Sequence, residues 1–275
     1  MLAKYGRSPG GIIALVFLHM GTVLAPFFFT WEGFSIAISL YVLTGIGVTV
    51  GFHRLLTHGA FQTHPWMRWL FVLLGGLAGQ AHIRIWALMH RIHHKWSDRE
   101  GDPHSPIHGF WWSHILWVTV RTPREELQKL EQQFIPDLLK DHVILGICRW
   151  NIPLHTILGL SLLSGGWVYG GWAMGISWLL WGFFLRITLL LHATWAVNSV
   201  SHTWGYRNYQ TADTSTNNAL TAAMSLGEGW HNNHHARPTA ANHGRQWWEV
   251  DLSYSFIRLL AWIGLAWEVK WEPAP

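Results

Sequence analysis

The chain has 275 residues, of which 50% are hydrophobic and only 12% are charged, and its formal net charge is +4. Soluble domains carry about 25% charged residues, so this composition argues against a soluble protein and indicates a membrane protein. The charge forms no clustered basic stripe of the kind that nucleic-acid binding needs, and the single cysteine, Cys148, excludes an intrachain disulfide.

Four segments are long and apolar enough to span a bilayer, which takes about 20 residues. In chain order they cover residues 11–29, 34–52, 153–172 and 175–197. A fifth apolar stretch, 69–88, is interrupted by Gln80, His82 and Arg84 and is predicted to be partly buried or interfacial. A cleaved signal peptide is the alternative for the first segment, but its apolar run is long for one and a second segment follows after four residues.

Short connections join these segments into two hairpins, which predicts that all hydrophilic parts lie on one side of the membrane. Of the 19 Lys and Arg residues, two precede the first segment, 11 lie in 51–152, five follow residue 198, and Arg186 lies inside the fourth segment. This bias is typical of cytoplasmic loops. We therefore expect one all-α integral membrane domain over 1–275, with a four-helix stem. Its helical cap, 53–152 and 198–275, and both termini would lie on the cytoplasmic side.

Nine of the 19 histidines lie in clusters at or beyond a predicted membrane exit. The motif HRLLTH follows the second apolar segment, and HRIHH follows the interrupted stretch. NSVSH lies where the fourth segment ends, and HNNHH lies in the carboxy-terminal part. The clustered residues are His53, His58, His90, His93, His94, His202, His231, His234 and His235.

The spacing of these histidines indicates metal binding. Both H-x-x-H-H triplets have the i, i+3, i+4 pattern that shares one helix face, so each can point its imidazoles at a common centre. His53 and His58 are five residues apart, so their side chains point further apart around a helix, and both can reach one centre only near a helix end. Neutral imidazole is the commonest side-chain metal ligand, and nine exceed the needs of one ordinary site, which predicts two metals. Imidazole suits Zn, Cu, Fe and Ni.

Each histidine group, taken alone, could instead be structural or incidental, and only their combination favours a metal site. The ten remaining histidines, among them His104 and His243, are expected to have no metal role. His19 and His192 lie inside predicted spans, where a polar side chain is a functional candidate by default, but nothing in the sequence assigns them a partner.

The three motifs HRLLTH, HRIHH and HNNHH resemble the histidine boxes of the membrane fatty-acyl desaturases. The longer stretches HRIHHKWSDREGDPHSP, GFWWSH, ATWAVNSVSHTWG and GEGWHNNHHA are similar to the acyl-CoA or acyl-lipid Δ9 branch of that family, the stearoyl-CoA desaturase type. The similarity covers most of the chain from about residue 48 to 249. A lone H-x-x-H-H is a weak signal, but this ordered set with its flanking residues is highly specific.

The resemblance implies a four-helix stem, a cytosolic cap and a non-haem di-iron centre that uses O2 as co-substrate. By alignment of the motifs, the nine clustered histidines would be the iron ligands, and no other catalytic residue is predicted. The ligands at one iron would be His53, His58, His90, His94 and His234. Those at the other would be His93, His202, His231 and His235, with Asn198 contacting that iron through a bound water.

The resemblance also implies an acyl tunnel pinched and bent near Gln80, Trp86 and Thr194, for which ordinary packing is the alternative. The family often has an arginine or a similar residue where this chain has Gly59, which leaves the substrate headgroup open: a CoA thioester, a glycerolipid or acyl carrier protein. We find no haem-binding H-P-G-G motif of a fused cytochrome b5, so we expect a separate electron donor, ferredoxin or cytochrome b5.

The implied reaction introduces a cis double bond, most simply at Δ9 of a saturated 16- or 18-carbon chain. An unactivated methylene is too weakly acidic for any side-chain base, so the hard step belongs to metal and oxygen. Acidic side chains often accept the second N–H of a metal-bound imidazole, and Asp98, Asp102 and Glu228 are candidates, with capping or surface ion pairs as the alternative. Arg186 is costly in lipid and is expected to pair inside the bundle or cap.

Two other classes of function remain open from the sequence. A hydroxylase, or an acetylenase acting on a carrier-bound acyl chain, could use the same scaffold, and only product analysis separates them. A non-enzymatic metal transporter should place its ligands within the spans, whereas all nine histidines lie at or outside the cytoplasmic boundary. A haem-binding protein would show a Soret band.

Overall fold

The computed structural model describes residues 6–273 and is mostly helical. Helix α1, Pro9–Leu24, continues as a 3-10 turn, Ala25–Phe28. Helix α2, Trp31–Ile46, continues into a π-helical segment, Gly47–Thr57. Hydroxyl side chains start both helices by accepting an orphan backbone N–H, Ser8 at α1 and Thr30 at α2.

The third apolar stretch is helical from Asn151 to His202 but is broken near its middle. Helix α8, Asn151–Leu179, passes through a π-helical turn, Leu180–Leu185, into α9, Arg186–Ser199, and a final 3-10 turn, Val200–His202. Within α8, Gly170 and Gly171 leave the helical conformation, and Gly171 has a φ of +78° that favours glycine.

The chain reverses direction at this break, and the two halves pack against each other. A Cβ placed on Gly166 would lie 2.8 Å from the Cα of Gly175, so only glycine allows this backbone approach.

Three helical stretches in the described part of the chain are long and apolar enough to cross a membrane: Pro9–Phe28, Trp31–Thr57 and Asn151–His202. The break lies slightly before the turn expected between residues 172 and 175, because the sequence offers glycines on both sides of Trp172.

Helix α3, Pro65–Gly76, runs antiparallel to the second apolar stretch. A Cβ on Gly47 would collide with the backbone at Gly75, and one on Gly51 would collide with Phe71, so glycines let the two helices touch. Residues 69–88 thus lie in α3, a turn and the start of the next helix, and they are partly buried as expected.

The remaining helices and two short strands form the cap. The helices are α4 Ile83–Trp96, α5 Phe110–His114, α6 Arg124–Phe134, α7 His142–Arg149, α10 Ala219–Met224, α11 His231–Ala236 and α12 Leu252–Trp262. Strands β1, Gln62–Thr63, and β2, Ala266–Trp267, pair antiparallel with Gln62 opposite Trp267. One apolar cluster joins the cap to the stem through residues such as Phe52, Phe71 and Leu88.

Arg186 faces the interior of the bundle and is 1% exposed. Its guanidinium donates to the carbonyl oxygens of Leu77 at 2.7 Å and Gly182 at 3.0 Å. The expectation of internal partners is confirmed: two are these backbone carbonyls, and a third is the Thr44 hydroxyl at 3.5 Å. The arginine therefore ties α9 to the turn between α3 and α4.

Candidate metal centre

All nine clustered histidines converge on one region of the cap, in two groups. Within each group, one ligand nitrogen from every histidine lies within 4.8 Å of all the others. We call them the first histidine group, His53, His58, His90, His94 and His234, and the second histidine group, His93, His202, His231 and His235. These are the two sets of histidines that the family resemblance assigns to separate irons, and their binding of iron stays a prediction.

Helix geometry sends neighbouring histidines to different groups. On α4, His90 and His94 are four residues apart and belong to the first group, whereas His93 turns into the second. On α11, His234 belongs to the first group, between two members of the second. The expectation that each triplet shares a common centre is therefore wrong, because α4 and α11 lie between the two groups and serve both.

The π-helical segment explains the unusual spacing of His53 and His58. The backbone N–H of His58 donates to the carbonyl of His53 at 3.1 Å, an i to i+5 hydrogen bond that is characteristic of a π-helical turn. Five residues complete about one such turn, so both imidazoles reach the same centre. In an α-helix the same two residues would point about 140° apart.

Within each group the Nε2 atoms face one another at close range. The His53–His234 and His58–His90 pairs are separated by 3.1 and 2.9 Å. In the second group His202 and His231 are 3.0 Å apart. Imidazole nitrogens that converge in this way can form a donor set for a cation.

Carboxylates accept hydrogen bonds from the outer Nδ1 atoms of four of these histidines. The pairs, with their distances, are His53–Glu228 at 2.5 Å, His93–Asp102 at 2.9 Å, His202–Asp98 at 3.0 Å and His235–Asp213 at 2.7 Å. The predicted acceptor roles of Asp98, Asp102 and Glu228 are confirmed. A carboxylate on Nδ1 fixes the tautomer that leaves Nε2 free to bind a metal.

The electrostatics of the site keep the carboxylates ionised. Burial acts to raise the pKa of Asp102 and Asp213, but the adjoining imidazoles of His93 and His235 outweigh it and hold both pKa values well below the usual range. Burial likewise opposes ionisation of Glu228, yet the charges around it, led by His53, keep its pKa well below the ordinary value. Each carboxylate therefore stays a strong acceptor for its histidine.

Most of the histidines are neutral near pH 7. Burial, reinforced by neighbouring imidazoles, lowers the pKa of five of them well below the ordinary value: His58, His90, His94, His231 and His234. Burial also lowers the pKa of His235 to about 4. His93 differs, because burial acts to lower its pKa but Asp102 raises it. Metals bind the neutral form of imidazole.

The residues present fit two metal ions. His93 and His235 each commit Nδ1–H to a carboxylate, which leaves two bare Nε2 lone pairs facing each other at 3.3 Å. Only a cation between them, a shared proton or a metal ion, makes this contact favourable, and one proton cannot serve all four nitrogens of the group. A donor set of imidazoles alone suits Fe, Zn, Cu or Ni.

Two cavities adjoin the histidine groups. The larger holds about 230 Å³ and is mostly apolar, and the smaller holds about 40 Å³ between the π-helical segment after α2, helix α9 and the turn after α10. Both are lined by Trp86, His90, Thr194 and Asn198. These four residues therefore stand where the two cavities meet, beside the metal-binding nitrogens.

The three expected tunnel residues are joined by hydrogen bonds at this junction. The indole N–H of Trp86 donates to the Gln80 side-chain oxygen at 3.1 Å, and the Gln80 amide N–H donates to the Thr194 hydroxyl at 2.7 Å. This chain of bonds fixes the position of the Trp86 ring against both cavities. A long apolar ligand that occupied both would have to bend around it.

The family model described as fatty acid desaturase matches residues 29–262, which is most of the chain. The chain belongs to the fatty acid desaturase family. It is 44% identical over 256 residues to the sn-1 stearoyl-lipid 9-desaturase of Anabaena variabilis, covering 92% of this chain and 90% of that protein. A Synechocystis protein of the same name is 40% identical over 262 residues, 93% of this chain and 78% of that protein. A third relative is the palmitoyl-monogalactosyldiacylglycerol delta-7 desaturase, chloroplastic, of Arabidopsis thaliana. It is 38% identical over 263 residues, which cover 95% of this chain and 68% of that protein.

Family membership makes the protein an oxygen-dependent fatty-acyl desaturase and an enzyme of lipid metabolism. The apolar helices place it at a membrane. The alternatives of a metal transporter and a haem-binding protein are thereby set aside. The histidine clusters fit the metal dependence of the family.

Three residues of the desaturase site were missed by sequence reasoning. Asp213 lies in a loop outside every motif, yet it holds His235. His104 and His243 were expected to have no metal role, but His104 lies 3.7 Å from Asp102, and His243 lies 3.4 Å from Glu228. No spacing signal marks them, since each reaches the site through the fold of a loop.

A buried arginine contacts the carboxylate that orients His53 of the first histidine group. Arg54 follows His53 in the chain and is 1% exposed. It donates to Glu228 and Asp251, both at 3.0 Å. Arg54 thus balances the charge of the carboxylate that orients His53.

His19 and His192 lie away from both histidine groups and contact each other. Their Nε2 atoms are 3.0 Å apart, and Nδ1 of His192 lies 3.0 Å from Nε2 of His114. His114 in turn contacts the Ser199 hydroxyl at 2.8 Å. This row of hydrogen bonds ties α1, α5 and α9 together within the desaturase.

Proposed function

We propose that the desaturase introduces a cis double bond at Δ9 of a saturated 16- or 18-carbon acyl chain carried on a membrane glycerolipid. The observation that carries this proposal is the pair of cavities that meet at Trp86, Thr194 and Asn198, directly beside the two histidine groups. The names of the two cyanobacterial relatives, both stearoyl-lipid 9-desaturases, support the position and the carrier.

We assign one iron to each histidine group, with the nine histidines as ligands and Asn198 acting through a bound water. The lining of both cavities by Asn198 supports its role. Iron bound there would supply, with O2, the oxidant that removes two hydrogen atoms from neighbouring methylenes. Asp98, Asp102, Asp213 and Glu228 orient four of the imidazoles by accepting hydrogen bonds from their Nδ1–H groups.

The residues around the cavities position the acyl chain and exclude water from it. The larger cavity would receive the carboxyl half, and the smaller cavity, deep between α2 and α9, the methyl end. The bonded row of Gln80, Trp86 and Thr194 bends the chain where the cavities meet, which favours a cis product. A shift of one methylene along this path would move the double bond.

We infer four membrane spans, arranged as two hairpins, with the cap, both termini and the metal centre on the cytoplasmic side of one domain. The 52-residue helical stretch would be about 78 Å long if straight, far more than the roughly 30 Å hydrocarbon core. The chain reversal at Gly170 and Gly171 divides it into two spans. The concentration of Lys and Arg in the cap supports the cytoplasmic orientation.

Expression in a host without Δ9 desaturation, together with ferredoxin and its reductase, tests the proposal. Mass spectrometry of the lipids should show new cis-Δ9 chains of 16 or 18 carbons on glycerolipid. The matched control is His93→Ala, which should be inserted in the membrane but give no product. Hydroxylated or acetylenic chains would instead establish the alternative reactions on this scaffold. New products only on CoA or acyl carrier protein would overturn the carrier.

A further inference from the structure

A third, larger hollow of about 670 Å³ opens beside the first histidine group. We call it the basic groove. Its charged lining residues are three cations, Arg68, Arg91 and Lys140, and one carboxylate, Asp137. The basic groove is more open than the two cavities described above, and its lining is more polar.

The basic groove reaches the metal ligands from a side that the acyl cavities do not use. His58 lines the groove, and its Nε2 lies 2.9 Å from that of His90, within the first group. The acyl cavities are lined by other ligands, His53, His90 and His231. At the rim, Gly59 has a φ of +58° and no atom within 4 Å of a Cβ built on it, so this entrance is open.

The groove lies at the end of the second apolar stretch that is remote from the bilayer interior. Because Gly75 lies against Gly47 and Phe71 against Gly51, α3 runs antiparallel to that stretch. Its Pro65 end, which carries Arg68, therefore projects towards the aqueous side together with His58. This placement favours a partner in solution over a lipid headgroup.

The cations of the groove are incompletely neutralised. Arg68 lies 3.9 Å from Asp141, and its Nε is buried without a hydrogen-bond partner among residues 6–273. Lys140 is exposed and forms no ion pair within the same part of the chain. Arg91 pairs with Asp137 at 2.6 Å.

Arg91 also connects the groove to the first histidine group. Its guanidinium donates to the carbonyls of Leu56 and Thr57, which directly precede His58. The groove thus carries an excess of positive charge, and His58 of the first histidine group forms part of its lining.

We propose that the basic groove docks an acidic one-electron carrier protein, which delivers electrons to the metal centre past His58. The proposal rests on the desaturase reaction. Removing two hydrogen atoms from the acyl chain supplies two of the four electrons that reduce O2 to two waters. The other two electrons, with two protons, must come from outside, one at a time from such a carrier. Complementary charge steers the encounter and sets its rate.

The test compares two double variants of the full-length, iron-loaded enzyme in detergent. Arg68→Glu with Lys140→Glu reverses two charges of the groove, and Arg124→Glu with Arg258→Glu reverses two exposed charges outside it. The probe is plant-type ferredoxin, an acidic carrier, kept reduced by its reductase. Dithionite, a small reductant that needs no docking site, serves as the alternative electron source.

We expect the groove variant to raise the KM for ferredoxin at least about tenfold at low salt and to lose most of its salt dependence. Its kcat with dithionite should match that of the wild type. The control variant should behave as the wild type with both reductants. An unchanged KM and salt dependence in the groove variant would overturn the proposal.

Two further measurements distinguish a docking site for the carrier from a lipid-binding site and from a failure of the proposed function. Ferredoxin binding is measured directly at low salt, so the groove is tested even if turnover fails. Unchanged affinity in the groove variant overturns the docking site, whereas a wild type that binds ferredoxin but makes no unsaturated product overturns the proposed function alone. Equal loss of activity with both reductants, together with weaker binding to phosphatidylglycerol vesicles, would show that the groove holds lipid and would also overturn the proposal.

Discussion

The Nε2 atoms of His93 and His235 face each other at 3.3 Å while the Nδ1 of each contacts its own carboxylate. Two imidazoles held in this tautomer repel unless a cation lies between them. The carboxylates Asp102 and Asp213 determine which nitrogen of each ring presents its lone pair, and both lone pairs point where a cation could bind.

Replacing Asp102 by asparagine should weaken metal binding at the second histidine group about 10- to 100-fold. The carboxylate fixes His93 and also accepts the backbone N–H groups of Asp98 and His104. A neutral amide is a weaker acceptor and leaves the His93 ring free to change its tautomer. Iron retention against a chelator measures the effect. Glu272→Gln, at a carboxylate that is 45% exposed, is the control, and equal retention in both variants would contradict the prediction.

Replacing Gly47 by alanine should destabilise the protein by about 1–3 kcal/mol, the usual cost of overpacking. The added methyl group would collide with the backbone N of Gly75 and lie 2.6 Å from the carbonyl carbon of Leu74. The backbone cannot give way without separating α3 from the π-helical segment.

The measurement for Gly47→Ala is the thermal unfolding midpoint in detergent. The matched control is Gly146→Ala in helix α7, where a Cβ has no atom within 4 Å. That change should be neutral or stabilising by up to about 1 kcal/mol, since alanine favours a helix. Equal midpoints for the two variants would show that the close approach is unimportant.

Replacing Thr194 by valine should lower the desaturation rate roughly tenfold and scatter the position of the double bond. Valine keeps the shape but cannot accept the hydrogen bond from Gln80, so the Trp86 ring loses its anchor. Double-bond positions are mapped by mass spectrometry. Thr156→Val, at an exposed position where the hydroxyl donates to the carbonyl of Ile152 in its own helix, should keep both rate and position. An unscattered product from Thr194→Val would show that this hydrogen bond does not set the bend of the acyl chain.

Replacing Leu190 by phenylalanine should raise the rate on 16-carbon chains relative to 18-carbon chains. Leu190 is 3% exposed and lines the smaller cavity, which holds only about 40 Å³, so a larger side chain shortens the space for the methyl end. Its neighbour Leu189 is 51% exposed, which makes Leu189→Phe a matched control. Competition between 16- and 18-carbon lipids measures the preference. If both variants keep the wild-type ratio, the smaller cavity does not hold the methyl end.

The sequence predicted well which histidines lie close together, because their signals are local. Residues at i, i+3 and i+4 share a helix face whatever the rest of the fold does, so both triplets could be recognised. How a triplet divides between two groups depends on the packing of α4 against α11, which spacing does not encode. The wide turn that aligns His53 with His58 is likewise a departure from the α-helical period.

Partners supplied by loops could not be predicted in this way. Asp213 reaches His235 from a loop that has no periodicity and no motif. Arg186 was expected to have an internal partner, but that partner is a carbonyl in the turn after α3, which depends on the close packing of glycines between helices. Among the apolar segments, the break within α8 was located only to within a few residues because several glycines could supply it.

The iron content of the purified protein tests the central claim most directly. The claim is that the two histidine groups each hold one iron. After loading with ferrous iron under anaerobic conditions and removal of the excess, elemental analysis should give two irons per chain, with no Soret band in the absorption spectrum. One iron per chain at saturation, or a chain that binds iron only as haem, would contradict the claim.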